Sequence, residues 1–546
     1  MSADGAHRSR IGGTGIQGPK SVGTGLLALL VACGTALSAV PPQEDANPEG
    51  GFRSIERETL AADVQVLASP EFEGRDSPSV GLERAAQRIE QRLKKLGLEP
   101  LGANGGYRQP FTRTYAVPVQ EACQVEYRRS ADDPVDLLEY GEEFVPLAGC
   151  EGEAQGELVF VGFGITSSKE RYDDLRGVSV RGKVVLAYEG EPRNRKVLEG
   201  EALTPIADLY RKARLLDEAG AVGVIFIRRP PEEATKVKGE GSLEPPALGF
   251  RYTWARWNDG RGMPAQPREQ AIPVVEVSEA AASELLGEDV AKLARKIDRA
   301  GKPVHAELEG STVFLATRFE RDEVSMANLV AKLPGSDPAL REEYVVLGAH
   351  YDHIGVDPWG RIGYGADDNA SGSAALLELA EAMTIAKPRR SVLFLWFAAE
   401  EDGLIGSRRF CDDPPVPRSS LVAMFNMDML GRGEEDEVFV LGLQENPGFK
   451  ETLKRARKLF PSKVRKVELD KGRDLWRRSD HYSFHKIGVP VLFFFENYPE
   501  SKNPDYHTYR DTFESLNLEK VWRSTRFLFN VAWITANDDE RPAPPR

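Results

Sequence analysis

Three segments within residues 343–401 decide the fold: EYVVLGAHYDH (343–353), GADDNASGSAALLELAEAM (365–383) and RSVLFLWFAAEE (390–401). The first and third are continuous apolar runs of strand length, and the second contains an apolar helix. Similar runs follow in LVAMFNMD (421–428) and VPVLFFFEN (489–497). Strands buried on both faces have this pattern, because helices cover both sides of a parallel sheet. The sequence therefore predicts an α/β domain with a mixed, mostly parallel sheet flanked by helices.

Residue types that bind metals stand where these strands end. In chain order they are His350 and Asp352, then Asp367 and Asp368 before the apolar helix, Glu400 and Glu401, Asp428, and His507 after Tyr506. Open α/β sheets place their sites at the carboxyl ends of the strands. We therefore expect these side chains to meet at one edge of the sheet.

The inventory of side chains suits zinc. Zinc takes imidazole nitrogen and carboxylate oxygen when no thiolate is offered, and two histidines with three carboxylates can hold two ions if one carboxylate bridges them. Neighbouring residues of a strand point in opposite directions, so only one of Glu400 and Glu401 is expected to bind metal. Glu401 is the predicted ligand, and Glu400 is the predicted general base. Asp352 stands close enough to His350 to accept a hydrogen bond from its second ring nitrogen.

Five motifs carry a family resemblance. They are HYDH (350–353), GADDNASG (365–372), FAAEEDGLIGS (397–407), NMDMLGR (426–432) and YHTYRDT (506–512), in this order. The set resembles the zinc aminopeptidase family, which includes bacterial leucyl aminopeptidases and the glutamate carboxypeptidase group. The resemblance implies a zinc-exopeptidase fold, two Zn²⁺ ions and peptide substrates.

The resemblance also implies a role for each site residue. The D-x-x-S-G frame makes Asp368 the bridging ligand and leaves Asp367 as a turn or cap residue. His350 and Asp428 would complete one zinc site, and Glu401 with His507 the other. Glu400 would be the general base and Asp352 the partner behind the ligand His350, while Tyr506 matches a tyrosine that stabilises the oxyanion in some members. His353 is interpreted as a histidine at the surface or behind the ligands, and Asp480-His481 as a pocket or structural pair.

The remainder of the chain divides by composition. Residues 1–40 are predicted to be a signal peptide or lipoprotein signal, because basic residues precede a short apolar stretch at 21–40. Either Cys33 is lipidated, since Leu30-Val31-Ala32-Cys33 resembles a lipobox, or the chain is cut at Ala36-Leu37-Ser38. Both routes predict an exported protein that is periplasmic, lipid-anchored at the cell surface or extracellular. The predicted divisions that follow are a linker (41–56), the first part of the peptidase domain (57–114), an inserted β-rich domain (115–318), the main peptidase part (319–537) and a tail (538–546). VFVGFGI and DDLRGVSVRGKVVL give the inserted part a resemblance to protease-associated domains.

Several functions remain compatible with the sequence. The net charge of −14 excludes a typical nucleic-acid partner. A carboxypeptidase or dipeptidase would use the same metals and needs a cation for the substrate carboxylate, which Arg432, Arg473, Arg477 or Arg478 offers. The chain could also be a glutaminyl cyclase, which uses a related site with one zinc ion, or a non-catalytic binding protein. In an exported chain Cys123 and Cys150 form either a disulfide or two buried thiols.

Overall fold

The computed structural model describes residues 46–194, 205–229, 272–356, 360–496 and 503–545. The predicted signal segment and Cys33 lie outside the described residues. Within those ranges no helix combines the length and the apolar character that a membrane crossing requires.

The described part of the chain contains the following strands and helices. The strands are β1 (Glu99–Pro100), β2 (Arg108–Pro118), β3 (Gln124–Arg128), β4 (Asp136–Leu137), β5 (Phe144–Pro146), β6 (Gly152–Val161), β7 (Thr166–Ser167), β8 (Tyr172–Asp173), β9 (Val184–Tyr188), β10 (Gly223–Ile227), β11 (Val274–Val277), β12 (His305–Thr317), β13 (Phe319–Leu333), β14 (Tyr344–His350), β15 (Ser391–Phe397), β16 (Leu421–Met427), β17 (Glu437–Leu441), β18 (Lys466–Leu469) and β19 (Val491–Phe495). The helices are α1 (Pro48–Ser54), α2 (Arg57–Leu67), α3 (Val80–Lys95), α4 (Leu209–Glu218), α5 (Glu279–Leu286), α6 (Val290–Ala300), α7 (Gly372–Ala386), α8 (Ile405–Asp412), α9 (Phe449–Leu459), α10 (His481–Lys486) and α11 (Leu518–Asn537).

One mixed sheet carries the apolar strands found in the sequence. Its order is β1-β13-β15-β14-β16-β19-β17-β18, and β2 also pairs with β13. The pairings β15-β14, β14-β16 and β16-β19 are parallel and form the centre of the sheet. Antiparallel pairings attach β13 on one side and β17 on the other. The predicted mixed α/β sheet is confirmed, with its parallel strands at the centre and antiparallel strands towards both edges.

Both faces of the central strands are buried, as their apolar runs predict. In β15 the side chains of Val392, Phe394 and Trp396 join one apolar cluster, and Leu393, Leu395 and Phe397 join another. Helices α1, α2, α7 and α11 contribute to the first cluster, and α8 and α10 contribute to the second. Successive side chains of a strand point to opposite faces, so the two clusters lie on opposite sides of the sheet. Because both faces are buried, polar side chains that act on a ligand are found at the ends of these strands.

The predicted linker at 41–56 is wrong from Pro48 onwards, because helix α1 begins there and packs against α7. Phe52 is buried, and its ring lies 5.1 Å from that of Phe460 and 6.0 Å from that of Phe529. Gly51 permits the close approach: a Cβ at this position would lie 2.4 Å from the carbonyl oxygen of Ala382. Gly51 therefore serves the packing of α1 against α7.

A second sheet occupies the predicted insertion. Its order is β4-β3-β12-β6-β9-β10-β11-β5, and helices α5 and α6 contribute to one of its apolar clusters. Its strands run from Gln124 to Thr317, whereas β2 remains in the first sheet as far as Pro118. The structure therefore moves the start of the inserted part from 115 to beyond Pro118. Its resemblance to protease-associated domains stays a prediction.

The cysteines in the described part of the chain are thiols. Cys123, Cys150 and Cys411 are all buried and free, so a disulfide between Cys123 and Cys150 is wrong. Cys150 lies in the cluster of β6, β9 and α4, while Cys123 lies in the cluster on the opposite face of that sheet.

Candidate metal centre and active site

Three neighbouring parallel strands deliver the first site residues to one edge of the sheet. His350 is the last residue of β14, and Asp428 directly follows β16. Glu400 and Glu401 follow β15 after a turn that includes Ala399, whose φ is 54°. Because β14 lies between β15 and β16, these carboxylates flank the histidine.

Asp368 lies between two histidines. It belongs to a helical turn, Ala366–Ser371, that connects the segment after β14 to α7. Its Oδ1 is 3.3 Å from Nε2 of His350, and its Oδ2 is 3.0 Å from Nε2 of His507. The two oxygens of one carboxylate thus face two different imidazoles, as a bridging ligand requires.

Two groups of candidate metal ligands share this carboxylate. His350, Asp368 and Asp428 form the first, and Nε2 of His350 is 3.2 Å from Oδ1 of Asp428. The second contains His353, Asp368, Glu401 and His507, and Nε2 of His507 is 3.0 Å from Oε2 of Glu401. The structure therefore brings together all five predicted ligands and adds His353.

The donor atoms of both groups fit zinc. Ligands at about 2.0–2.1 Å from a tetrahedral ion lie roughly 3.3 Å from one another. The nitrogen-to-oxygen separations of 3.0 to 3.3 Å at His350 and His507 are of this size. Imidazole and carboxylate are also the donors that zinc accepts in the absence of thiolate.

The charges of the second group stabilise one another. Burial lowers the pKa of His507, but Glu401 and Asp368 outweigh burial and raise this pKa to about 10. Burial would raise the pKa of Asp368, yet His350 and His507 hold it well below its ordinary value. Such a concentration of buried carboxylates favours cations at this edge of the sheet.

Asp352 holds the segment that carries the glutamates. Its Oδ1 accepts a hydrogen bond from the backbone N–H of Glu400 at 3.1 Å, and its Oδ2 accepts one from Glu401 at 3.3 Å. Its carboxylate lies 3.7 Å from Nδ1 of His350, which is longer than a hydrogen bond. The backbone carbonyl of Asp352 is closer to that nitrogen, at 3.2 Å. Asp352 therefore positions Glu400 and Glu401 through their backbone, and His350 through its carbonyl.

Glu400 lies among the ligands and is buried. Burial raises its pKa well above the ordinary value, His350 opposes this effect, and Asp428 and Glu401 add to it. A carboxylate with a raised pKa is a better proton acceptor than an exposed one. This environment suits the general base predicted at this position.

Arg75 connects the segments that carry the ligands, and no motif in the sequence points to it. Its buried guanidinium donates hydrogen bonds to the carbonyls of Tyr351 at 3.0 Å, Tyr364 at 2.9 Å and Gly365 at 2.8 Å, and also to Leu67. Burial lowers the pKa of Arg75 to about 10, which leaves the group charged at neutral pH. Arg75 thus anchors the chain next to His350 and the turn that carries Asp368.

Asp511 supports the bridging residue from the other side. Its carboxylate accepts hydrogen bonds from the backbone N–H groups of Asp367 and Asp368 at 3.0 to 3.1 Å, and from Arg432 at 3.2 Å. The Asp367 side chain accepts a hydrogen bond from the N–H of Gly431 at 2.7 Å. Asp367 therefore organises the turn and belongs to neither ligand group, in agreement with its predicted role.

Tyr506 lies against a ligand. Its ring stacks on that of His507 at 3.9 Å, and its phenol oxygen accepts a hydrogen bond from Arg478 at 3.2 Å. His507 has a φ of 53°, which turns the chain sharply after Tyr506. The phenol and a guanidinium are thus both positioned beside the second ligand group.

Two further residues near the site are fully buried. The His353 side chain has no exposed surface, so of its two predicted positions the one at the surface is wrong and the one behind the ligands stays a prediction. The sequence contained a signal for the position of His353 near the ligands, because this residue follows His350 at a spacing of three within one motif. Asp480 is also fully buried, and burial raises its pKa to about 7. His481 is a structural residue whose Nε2 lies 2.9 Å from the carbonyl of Trp476 and whose ring stacks on Phe493.

Comparison with known proteins shows which proteins this chain resembles. Residues 328–532 match peptidase family M28. A probable leucine aminopeptidase of Trichophyton verrucosum (strain HKI 0517) is 31% identical over 206 residues, which are 36% of this chain and 56% of the relative. Aminopeptidase YwaD of Bacillus subtilis (strain 168) is 29% identical over 210 residues, 37% of this chain and 43% of the relative. The chain thus spans about half the length of the curated relatives it matches. The predicted resemblance to the zinc aminopeptidases is confirmed.

Solved structures share the fold over most of the chain. BSAP, a zinc aminopeptidase from Bacillus subtilis, superposes with a TM-score of 0.56 at 18% identity, covering 89% of this chain and 96% of its own. An aminopeptidase from Aneurinibacillus sp. strain AM-1 superposes with a TM-score of 0.50 at 21% identity, covering 91% and 98%. At these identities the likeness establishes the fold, and the predicted fold class is confirmed.

Proposed function

We propose that this chain is an exported, zinc-dependent aminopeptidase that removes the N-terminal residue of peptides. The observation that carries the proposal is the pair of ligand groups that share Asp368, with Glu400 buried beside them. The match to peptidase family M28 and the relatives named as aminopeptidases support it.

The ligands and the base divide the chemistry between them. His350, Asp368 and Asp428 would hold one zinc ion, and Asp368, Glu401 and His507 the other. When bound, such a pair of ions would supply an acidified water molecule and a Lewis acid for the scissile carbonyl. Glu400 takes the proton of the attacking water and delivers it to the nitrogen of the leaving amine. The phenol of Tyr506, beside His507, donates a hydrogen bond to the carbonyl oxygen as negative charge develops on it.

Recognition of the substrate's carboxyl end would depend on one cation. Arg432 pairs with Asp505 and Asp511, and Arg473 pairs with Glu445, so both already bind carboxylates of the chain. Arg478 donates a hydrogen bond to Tyr506 beside the second ligand group, which is the right neighbourhood for a substrate carboxylate. A carboxypeptidase or dipeptidase is therefore the second candidate. The presence of two ligand groups favours both hydrolases over a single-zinc glutaminyl cyclase and over a non-catalytic binding protein.

A pair of substrates separates the two hydrolases. We would supply zinc and measure the release of free leucine from a leucyl peptide and from its N-acetylated twin. An aminopeptidase cleaves only the peptide with the free amine. Cleavage of both would favour recognition of the carboxyl end, and cleavage of neither would contradict both assignments for such substrates.

The role of Glu400 has its own test. Glu400→Ala should lower kcat by about 10²–10⁴-fold, the usual contribution of a general base. Its zinc content should stay that of the parent, because Glu400 belongs to neither ligand group. Glu451→Ala is the matched control, since this glutamate is exposed on α9 and pairs with Lys454. Retained turnover in Glu400→Ala would contradict the assignment.

Export belongs to the same proposal. It is supported by the basic residues followed by the apolar stretch at 21–40. The mass of the mature N-terminus from the producing cells would distinguish lipidation at Cys33 from ordinary cleavage. An intact N-terminus would contradict export by either route.

A further inference from the structure

His353 lies inside the metal centre although it belongs to none of the five predicted ligand positions. Its side chain has no exposed surface. Its backbone N–H donates to the carbonyl of Arg75 at 3.1 Å, and its ring meets that of His507 edge to face at 5.7 Å. The imidazole is therefore held between the residue that anchors the ligand segments and a ligand.

The two oxygens of Glu401 face two different histidines. Oε1 lies 3.0 Å from Nδ1 of His353, and Oε2 lies 3.0 Å from Nε2 of His507. Oδ2 of Asp368 is 3.0 Å from the nitrogen of His507 but 3.7 Å from that of His353. The donor atoms that converge on one point thus come from Asp368, Glu401 and His507. His353 instead contacts the other oxygen of Glu401, Oε1.

The backbone next to the bridging ligand fixes the ring of His353. Gly365 has a φ of 57°, and a Cβ at this position would lie 2.5 Å from Cγ and Cδ2 of His353. The same Cβ would lie 2.3 Å from the carbonyl oxygen of Asp368. The absence of a side chain at Gly365 therefore creates the space in which the imidazole lies against the Asp368 turn.

We propose that His353 is a positioning residue for the second zinc site. Its Nδ1–H donates a hydrogen bond to Oε1 of Glu401, so that the carboxylate presents Oε2 alone to the ion held with Asp368 and His507. Hydrogen bonds to ligating carboxylates set the orientation of the ligand and the strength of metal binding. This inference rests on the proposed function, because it assumes zinc at the second ligand group.

Two substitutions separate a hydrogen bond from other roles. His353→Ala removes the donor, whereas His353→Asn places an amide N–H near the position of Nδ1 and restores it. His485→Asn is the control, because His485 packs on Trp476 in the same domain and belongs to neither ligand group. The readouts are the two zinc dissociation constants, measured by competition with a chromophoric chelator, and the visible absorption spectrum of the Co²⁺-substituted protein.

We expect His353→Ala to weaken the binding of one of the two zinc ions by about 10–100-fold, which is the usual effect of removing a hydrogen-bond partner of a ligand. The affinity for the other zinc ion should stay unchanged. His353→Asn should recover most of this loss and the parental Co²⁺ spectrum. Parental zinc affinities in His353→Ala would overturn the proposal. His353→Asn binding zinc as weakly as His353→Ala would also overturn it, because nitrogen ligation or packing would then explain the effect.

The zinc measurement does not depend on the identity of the substrate. If the parent binds two zinc ions but hydrolyses neither peptide of the leucyl pair, the proposed activity fails while the test of His353 still gives its answer. If activity is present and zinc affinity does not respond to His353, the positioning role alone fails.

Discussion

Arg75→Met should destabilise the protein and loosen both ligand segments at once. The substitution retains a long side chain but removes four hydrogen bonds to buried carbonyls, those of Leu67, Tyr351, Tyr364 and Gly365. A hydrogen bond from a charged group contributes roughly 1.5–3 kcal/mol when it is measured singly, and bonds made by one side chain do not add fully. We therefore expect the free energy of unfolding to fall by about 3–5 kcal/mol, which is more than one such bond contributes and less than the sum of four.

Urea denaturation followed by tryptophan fluorescence measures this effect, because Trp396 lies buried in the central strand β15. Arg84→Met is the matched control: Arg84 is 47% exposed and pairs with Glu73, so its loss should change stability by less than about 0.5 kcal/mol. The zinc affinities should fall with stability only in Arg75→Met, since Gly365 leads into the turn that carries Asp368. Equal stability of the two variants would refute the anchoring role of Arg75.

Two further predictions test the shared ligand and the effect of pH. Asp428→Asn should retain one zinc ion per chain and Asp368→Asn none, because only Asp368 belongs to both ligand groups. Elemental analysis after dialysis measures the zinc content of each variant. Equal zinc contents in the two variants would contradict the prediction. Burial raises the pKa of Glu378 from 4.5 to about 7, so the folded chain keeps a proton that the unfolded chain releases, and stability falls as the pH rises from 4.5 through 7. Glu378→Gln removes this pH dependence. In urea titrations, the free energy of unfolding of Glu378→Gln minus that of the parent should therefore increase from pH 4.5 to about pH 7. A difference that stays constant over this interval would contradict the prediction.

Much of the catalytic domain could be predicted because its signals are local. A strand buried on both faces is apolar throughout, and the residue that follows it must lie at the carboxyl edge of the sheet. This reasoning brings His350, Glu401 and Asp428 to one place from the sequence alone. The choice of Asp368 over Asp367 needed the resemblance, because both residues stand in the same turn. The structure separates them, since Asp367 accepts from the N–H of Gly431 while Asp368 faces the histidines.

The supports of the site could not be predicted because their partners are distant in sequence and mostly backbone. Arg75 and Tyr351 are 276 positions apart, and Asp511 is 143 positions from Asp368. A donor that binds carbonyl groups leaves no pattern in the residues whose carbonyls it binds. Helix α1 was missed for a different reason: two glycines among its seven residues give it low intrinsic helix propensity, and packing against α7 stabilises it.

The long antiparallel pairing of β2 with β13 explains how the first sheet accommodates the second sheet as an insertion. Pro118 and Phe319 are directly opposite each other in this antiparallel ladder, although residues 119–318 intervene between them. Strands paired in this way need only a tight turn of a few residues to be connected. A chain that lacked residues 119–318 would therefore keep the pairings of the first sheet except at the end of this ladder, where the last residues of β2 and the first of β13 would form the turn of an ordinary hairpin. Because β13 runs antiparallel to β15, this hairpin would lie beyond the carboxyl end of β15, on the side of the metal centre. The inserted part can thus differ in size or sequence while the metal ligands stay on the strands that hold them.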